Sequence, residues 1–314
     1  MVKSKKFKIL TTLFSALLLF SLLPYKVGNA VPLPTNVSAN SLNDLDNIDV
    51  KDLNTQSERT ILKSQYTTNI DGLNPVTEGS SKEYIPSGLP VAKSPQSVVI
   101  GSDDRTEITN TTVFPYSAIC YIRMVFPNNK AYIGTAWMYA KNVAITAGHC
   151  VYSAEDGGWA KSILVCPGAN GSNLPFGSTY ATNISAPKGW TEKNSTDYDW
   201  GLLQLKDNIG NNTGYFGASW TSSSLKGSNV DVTGYPGEKS RTLWKMSGTI
   251  TSDTSNKVYY QIDTTGGQSG CPVYQGDGEN TRAVAIHTSG SSAGGWNSAT
   301  RITKPIFDYI NSFR

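Results

Sequence analysis

The chain reads as an all-β protein, a barrel or a sandwich, and three observations lead there. After residue 97, short apolar or alternating runs recur between clusters of Gly, Asn, Ser and Pro, the pattern of strands joined by tight turns. Helical periodicity occurs only at the extreme C-terminus. The apolar content of the 314 residues is ample for a sizeable core, and the length allows more than one compact unit.

In chain order, Lys3, Lys5, Lys6 and Lys8 precede an apolar run from Ile9 to Leu23, then Pro24 and the small-residue stretch Gly28-Asn29-Ala30. That is the layout of a secretory signal peptide over residues 1–30, and the run is shorter than the roughly 20 residues a membrane span needs. A retained anchor is the alternative. Residues 31–97 are rich in Ser, Asn, Asp and Thr, net acidic, and contain no Cys, His or Trp. Alone they bury little apolar surface, so they read as a propeptide or a linker. The composition changes at Ser94-Pro95-Gln96-Ser97, which puts the mature N-terminus at Val98.

The strands then follow: Ala118–Met124, Val143–Thr146, Ser162–Cys166, Trp200–Leu205, Val230–Thr233, Val258–Ile262 and Ala283–Ile286. The last element is a helix that Thr303 caps, with Pro305 in its first turn and Ile306, Tyr309 and Ile310 on one apolar face.

A net charge of +3, with no basic run carrying interleaved aromatics, argues against a nucleic-acid partner. Four Cys in an exported chain favour two disulfides, with three connectivities to choose from. The expected pairing is Cys150 with Cys166 and Cys120 with Cys271; free buried thiols are the alternative. A zinc site would need CxxC-like spacing or clustered His, and neither is present.

The chain has two histidines. His149 ends Ala144-Ile145-Thr146-Ala147-Gly148-His149, and His287 follows Ala283-Val284-Ala285-Ile286. Between them stands Gly266-Gly267-Gln268-Ser269-Gly270, a glycine-flanked serine. A serine hydroxyl is a poor nucleophile until a neighbouring base takes its proton. That base is usually an imidazole oriented by a buried carboxylate. Asp199 opens the apolar run Trp200–Leu205 and is the favoured carboxylate; Asp197, two residues earlier, shares its strand face and stays open.

These motifs resemble those of chymotrypsin-fold serine proteases, and most closely those of the bacterial glutamyl endopeptidases. The matching stretches are Val98-Val99-Ile100-Gly101, Thr146-Ala147-Gly148-His149-Cys150, Tyr198-Asp199-Trp200-Gly201, Gly234-Tyr235-Pro236-Gly237, Thr264-Thr265-Gly266-Gly267-Gln268-Ser269-Gly270 and Arg301-Ile302-Thr303. The resemblance implies two antiparallel six-stranded β-barrels, over 98–210 and 211–314, with a C-terminal helix and the active site in the cleft between them. It implies a triad of His149, Asp199 and Ser269. The amides of Gly267 and Ser269 would form the oxyanion hole, where losing one donor costs roughly 3 to 4 kcal/mol of barrier in a comparable site.

Specificity has two readings. Asp263 stands six residues before Ser269, where trypsin-like enzymes keep the aspartate that attracts Arg or Lys. By resemblance, however, His287 lies on the pocket wall, where glutamyl endopeptidases use a histidine and a hydroxyl, here Thr264, to bind an acidic side chain. A desolvated carboxylate needs hydrogen bonds and preferably positive charge, and the free amine of Val98 is a third expected donor. Thr288, Ser289 and Gly290 would form the edge along which substrate backbone pairs. Two departures from the wider family stand out. Gln268 replaces the aspartate that receives the new N-terminal amine, and Gly134-Thr135-Ala136 occupies the place of the usual partner of Cys150.

The sequence therefore predicts a secreted, cofactor-free, monomeric serine endopeptidase cutting after Glu and less readily after Asp. Its expected partners are acidic protein and peptide substrates, its own propeptide and an activating protease, with no nucleic acid and no membrane in the mature form. The alternatives are a trypsin-like enzyme working through Asp263 and an inactive binding protein on the same scaffold.

Overall fold

The computed structural model describes residues 44–67, 77–87, 103–291 and 295–314. The expected signal peptide, Val98 and the rest of Val98-Val99-Ile100-Gly101 lie outside the described residues.

Structure begins inside the acidic segment. Strand β1 (Ile48–Asp52) alternates buried Ile48 and Val50 with outward Asp49 and Lys51, and β2 (Glu58–Ile61) folds back on it. Between them Asp52 Oδ1 accepts the amides of Asn54 and Thr55 at 2.8 and 2.9 Å, the Asx geometry that nucleates a turn. Strand β3 (Glu78–Ser81) follows.

The first barrel is reached after β4 (Thr106–Ile108). Strands β5 (Ile119–Val125), β6 (Ala131–Ala140) and β7 (Val143–Thr146) form a meander. The β5–β6 hairpin closes through Asn129, which takes a left-handed φ of 64°, a conformation Asn tolerates. A two-residue ladder of β8 (Tyr152–Ser153) and β9 (Gly158–Trp159) precedes β10 (Ser162–Pro167), β11 (Thr179–Pro187) and β12 (Gly201–Leu205). The order β10-β5-β6-β7-β12-β11 closes through β10–β11, giving six strands and no free edge. All four residues of β7 are buried.

The second barrel uses β13 (Gly217–Thr221), β14 (Asn229–Gly234), β15 (Leu243–Asp253), β16 (Lys257–Tyr260), β17 (Pro272–Gln275), β18 (Arg282–Ser291) and β19 (Trp296–Arg301). The order β17-β14-β15-β16-β19-β18 closes through β17–β18; β13 runs parallel beside β18, and β4 attaches to β15. The two six-stranded barrels are those the resemblance implied. The terminal helix, Lys304–Asn311, buries Ile306, Tyr309 and Ile310 as its periodicity predicts, and Phe307 as well. Its Tyr309 hydroxyl donates to Ser185 of the first barrel. Thr303 is the N-cap residue, but its side chain makes no capping bond.

The segment expected to be a propeptide docks on both barrels. β1 pairs along β11 from Ile48–Pro187 to Asp52–Asn183, and β3 pairs with β13. Tyr66 packs edge-on against Tyr309 of the helix, and the Ser81 hydroxyl bonds the Tyr139 hydroxyl and accepts the Ala218 amide. The segment cannot build a core of its own, so it borrows one: Ile48 and Val50 are buried against the first barrel, each worth roughly 1.5 to 3 kcal/mol of transfer free energy.

Both expected disulfides are overturned, because all four cysteines are free buried thiols. Cys120 and Cys166 lie on the neighbouring strands β5 and β10, opposite Pro167 and Tyr121. Burial, and then the neighbouring Cys166, pushes the Cys120 thiol well above its ordinary range. Cys150 instead lies under the cleft, its sulfur 3.9 Å from the Ser269 carbonyl oxygen. Counting cysteines carries no geometry, and the expectation failed on geometry. Among the described residues no helix is long and apolar enough to cross a membrane.

Candidate active site

Strands β7 and β12 are antiparallel neighbours, with Thr146 opposite Gly201. The chain leaving β7 and the chain entering β12 therefore meet at one rim. A short 3-10 turn, Gly148–Cys150, places His149 there, and a second, Thr196–Tyr198, places Asp199. Asp199 grips His149 twice: Oδ2 meets the ring Nδ1 at 2.8 Å, and Oδ1 accepts the backbone amide at 2.9 Å. The Thr300 hydroxyl donates to the Asp199 carbonyl at 3.0 Å, tying the turn to β19 of the other barrel. Asp199 is buried and the His149 side chain is one-third exposed. Burial disfavours the His149 cation, but the adjacent carboxylate outweighs it and holds the imidazole well above its ordinary pKa. Asp199 is correspondingly held below the usual carboxylate value: burial works against its anion and His149 more than offsets it. Asp197, the alternative carboxylate, instead accepts a 3.4 Å bond from Asn256.

Ser269 reaches the same cleft from the second barrel. Its carbonyl accepts the Thr135 amide at 2.8 Å, the Gly270 amide donates to the His287 carbonyl at 2.7 Å, and the His287 amide donates to the Cys271 carbonyl at 2.9 Å. The nucleophile segment is thus stitched to β6 on one side and to β18 on the other. Gly270 has a φ of 89°, and a Cβ there would lie 2.2 Å from both the Thr135 carbonyl and the Thr146 hydroxyl; only glycine permits that approach. The Ser269 hydroxyl donates a long 3.5 Å bond to the Thr288 carbonyl.

The loop before it has a defined orientation. The Gly237 amide donates to the Gly266 carbonyl at 2.7 Å, and the Thr135 hydroxyl donates to the Gly267 carbonyl at 2.9 Å. In a trans peptide C=O and N–H point to opposite sides, so the Gly267 N–H is turned away from Gly237. Neither that N–H nor the Ser269 N–H has a protein acceptor among the described residues.

His287 is buried on β18, its Nδ1 2.6 Å from the Tyr260 hydroxyl. Burial, followed by the charges of His149 and Lys257, pushes its pKa down to about 3. Burial also holds the Tyr260 phenol well above its ordinary value, so the phenol keeps its proton. The buried Tyr260 hydroxyl has no other acceptor among the described residues, so its proton is directed at Nδ1, and the neutral ring carries its own proton on Nε2. Thr264, partly buried, offers a hydroxyl with no protein partner among the described residues. Thr288 is buried while Ser289 and Gly290 are exposed, and beyond Ile286 β18 pairs only with β19 among the described strands. Asp263 points elsewhere: its carboxylate accepts the Asp104 amide at 3.5 Å. Val98 lies outside the described residues.

Three residues escaped sequence reasoning. Tyr260 fixes the His287 tautomer. Lys257, buried on β16, donates to the Thr288 hydroxyl at 2.9 Å and to the Thr196 carbonyl at 3.2 Å. Arg105 reaches Gln268 beside the nucleophile. None sits in a motif, and each acts through a neighbour distant in sequence. Among the described residues no group of three or more His, Cys, Asp and Glu side chains is placed to hold a metal ion.

The comparisons agree with this geometry. The trypsin family model matches residues 106–310. The chain is 40% identical to the glutamyl endopeptidase of Bacillus licheniformis over 274 residues, 84% of this chain and 82% of that protein. It is 38% identical over 268 residues to a Bacillus subtilis protein named extracellular metalloprotease, covering 82% of this chain and 84% of that one. A solved glutamyl endopeptidase structure, in complex with MPD, superposes with a TM-score of 0.61 at 34% identity, over 69% of this chain and 99% of that one. The chain therefore belongs to the trypsin family, as a serine endopeptidase of the bacterial glutamyl endopeptidase group.

Proposed function

We propose that this enzyme is exported and cuts peptide bonds after Glu, less readily after Asp, without a cofactor. Residues 1–30 are its signal peptide, and removal of 31–97 releases a mature monomer beginning at Val98. The observation that carries the specificity is the direct link between nucleophile and pocket wall: Gly270, next to Ser269, donates its amide to the carbonyl of His287.

In this reading the Ser269 hydroxyl turns from the Thr288 carbonyl to His149 Nε2, which takes its proton as Ser269 attacks the scissile carbonyl. Asp199 holds the imidazole in the tautomer with Nδ1–H and stabilises the imidazolium. The Gly267 and Ser269 amides receive the oxyanion. His149 returns the proton to the leaving amine, and water then hydrolyses the acyl-enzyme by the same route. The substrate backbone pairs along Thr288, Ser289 and Gly290.

The glutamate carboxylate takes hydrogen bonds from His287 Nε2–H and the Thr264 hydroxyl, with the Val98 amine as a third donor. His287 acts as a neutral donor, because charging a ring with a pKa of about 3 at pH 7 costs on the order of 5 kcal/mol. The orientation of Asp263 toward Asp104 speaks against a trypsin-like preference. The test is digestion of a peptide library with the mature enzyme, reading the residue before each cut. Glu, then Asp, is expected; a profile led by Lys and Arg overturns the reading.

A further inference from the structure

We propose that Arg105 is the positioning residue that sets the oxyanion-forming loop, in place of an ammonium–carboxylate pair that Gln268 cannot make. The inference rests on the serine-protease mechanism above and adds the part that holds its donors in place.

The guanidinium is almost completely buried, with 5% of the side chain exposed. Nη1 donates to Gln268 Oε1 and to the Thr265 hydroxyl, both at 2.9 Å. Nη2 reaches Glu238 Oε1 at 2.7 Å, and Nε reaches Asp103 Oδ1 at 2.8 Å. The acceptors also bind one another's loop: Gln268 Oε1 accepts the Thr265 amide at 2.9 Å, and the Thr265 hydroxyl donates to Glu238 Oε2 at 2.7 Å. A closed ring of Arg105, Gln268, Thr265 and Glu238 results, with the fork of the guanidinium at its centre.

The loop needs such a brace. Gly266 and Gly267 carry no side chains to pack, and glycine backbone has more conformations to lose than any other. Gln268, the residue between the two expected oxyanion donors, is 1% exposed, so fixing its side chain fixes the peptides on either side. Its amide oxygen takes two hydrogen bonds but no proton charge, so a new N-terminal amine gains no ion pair there. Arg105 supplies the cation instead, using the planar, always-charged group best suited to several directed bonds. The two carboxylates that flank it, Asp103 and Glu238, are each nearly half exposed, so they remain hydrated when the guanidinium is removed.

The test compares the wild-type enzyme with Arg105→Gln and Arg105→Lys, at concentrations fixed by active-site titration. Four quantities are read: kcat and KM on a Glu-containing peptide, affinity for a peptide boronate whose tetrahedral adduct needs the oxyanion donors, and affinity for a product peptide ending in Glu. Removing one oxyanion donor outright costs roughly 100- to 1,000-fold in kcat, so a misplaced loop in Arg105→Gln is expected to cost at least about tenfold. Boronate affinity should fall in step, while KM and product affinity stay within about threefold, the split that marks a contact made only in the transition state. Arg105→Lys, which keeps the charge and most of the stem, should show a smaller loss of the same form and serves if Arg105→Gln does not accumulate. Unchanged kcat, or product affinity falling together with kcat, overturns the positioning role. A wild-type enzyme that neither turns over nor binds the boronate would remove the mechanism itself; a reactive wild type with an equally reactive Arg105→Gln removes only this inference.

Discussion

Asp199 holds His149 by its ring and by its backbone at once, at 2.8 and 2.9 Å. The double grip fixes both the imidazole orientation and the turn that carries it, so Asp199→Asn changes more than charge. An amide in place of the carboxylate favours the wrong tautomer, and the same exchange in another triad lowers kcat about 10⁴-fold. A comparable loss on a Glu-containing peptide is expected here, with the thermal midpoint nearly unchanged. A loss under tenfold would remove Asp199 from the mechanism.

The pH profile follows from the same pair. Burial alone would lower the His149 pKa; the Asp199 carboxylate raises it well above the ordinary value. The base must be neutral to act, so activity is gained as pH rises through the His149 pKa and lost as pH falls through it. The acid limb of kcat/KM should therefore have its midpoint above about 6.5, the unperturbed imidazole value. In Asp199→Asn the remaining activity should have that midpoint displaced to lower pH. An unmoved limb would assign it to another group.

His287 and Tyr260 make a second pair with a separable signature. Hydrogen bonds to charged groups contribute about 1.5 to 3 kcal/mol. On that basis His287→Ala should lower kcat/KM on Glu-containing peptides roughly 10- to 100-fold while changing cleavage after hydrophobic residues little. Tyr260→Phe leaves the ring in place but removes the donor to Nδ1, freeing the other tautomer. It should shift the Glu-to-Gln preference in the same direction by a smaller factor. Equal losses on acidic and hydrophobic peptides would make both residues structural.

The candidate histidine, serine and strand-edge carboxylate were legible as candidates because each lies inside a short local string, and local strings survive folding. Strands such as Val143–Thr146 were legible for the same reason. What stayed hidden is long-range. Strand Ala131–Ala140 is buried from Gly134 onward, so it lacks the alternation that announces a half-exposed strand. Arg105 meets Gln268 across 163 residues and Tyr260 meets His287 across 27, and no spacing rule relates such pairs. The acidic segment misleads in the opposite sense. Its composition speaks for a chain with little core, and Ile48 and Val50 find theirs on β11.

The free thiols make a chemical prediction. All four are buried, and burial pushes the Cys166 thiol up and those of Cys120 and Cys271 well above their ordinary range. The thiolate is the reactive species, so the native enzyme should react slowly with iodoacetamide at pH 8. The unfolded chain should show four titratable thiols without reductant, and reductant should leave the thermal midpoint unchanged. Recovery of two thiols or none after unfolding would restore a disulfide framework.

The docked acidic segment separates folding from catalysis. Its strand β1 pairs along β11 of the first barrel and β3 pairs with β13 beside the second, with Ile48 completely buried, and none of its described residues bonds to His149, Asp199, Ser269 or His287. Truncating a buried Ile to Ala costs about 2 to 5 kcal/mol, a large share of a domain's net stability. The double change Ile48→Ala, Val50→Ala should therefore lower the yield and thermal midpoint of the full-length precursor. Under the proposed processing the altered residues leave with the segment 31–97, so mature enzyme recovered from that variant should match the wild type in kcat and KM. Equal precursor stability would mean that β1 contributes nothing to the barrel it extends, while altered kinetics in the processed enzyme would mean that the segment shapes the cleft it stands away from.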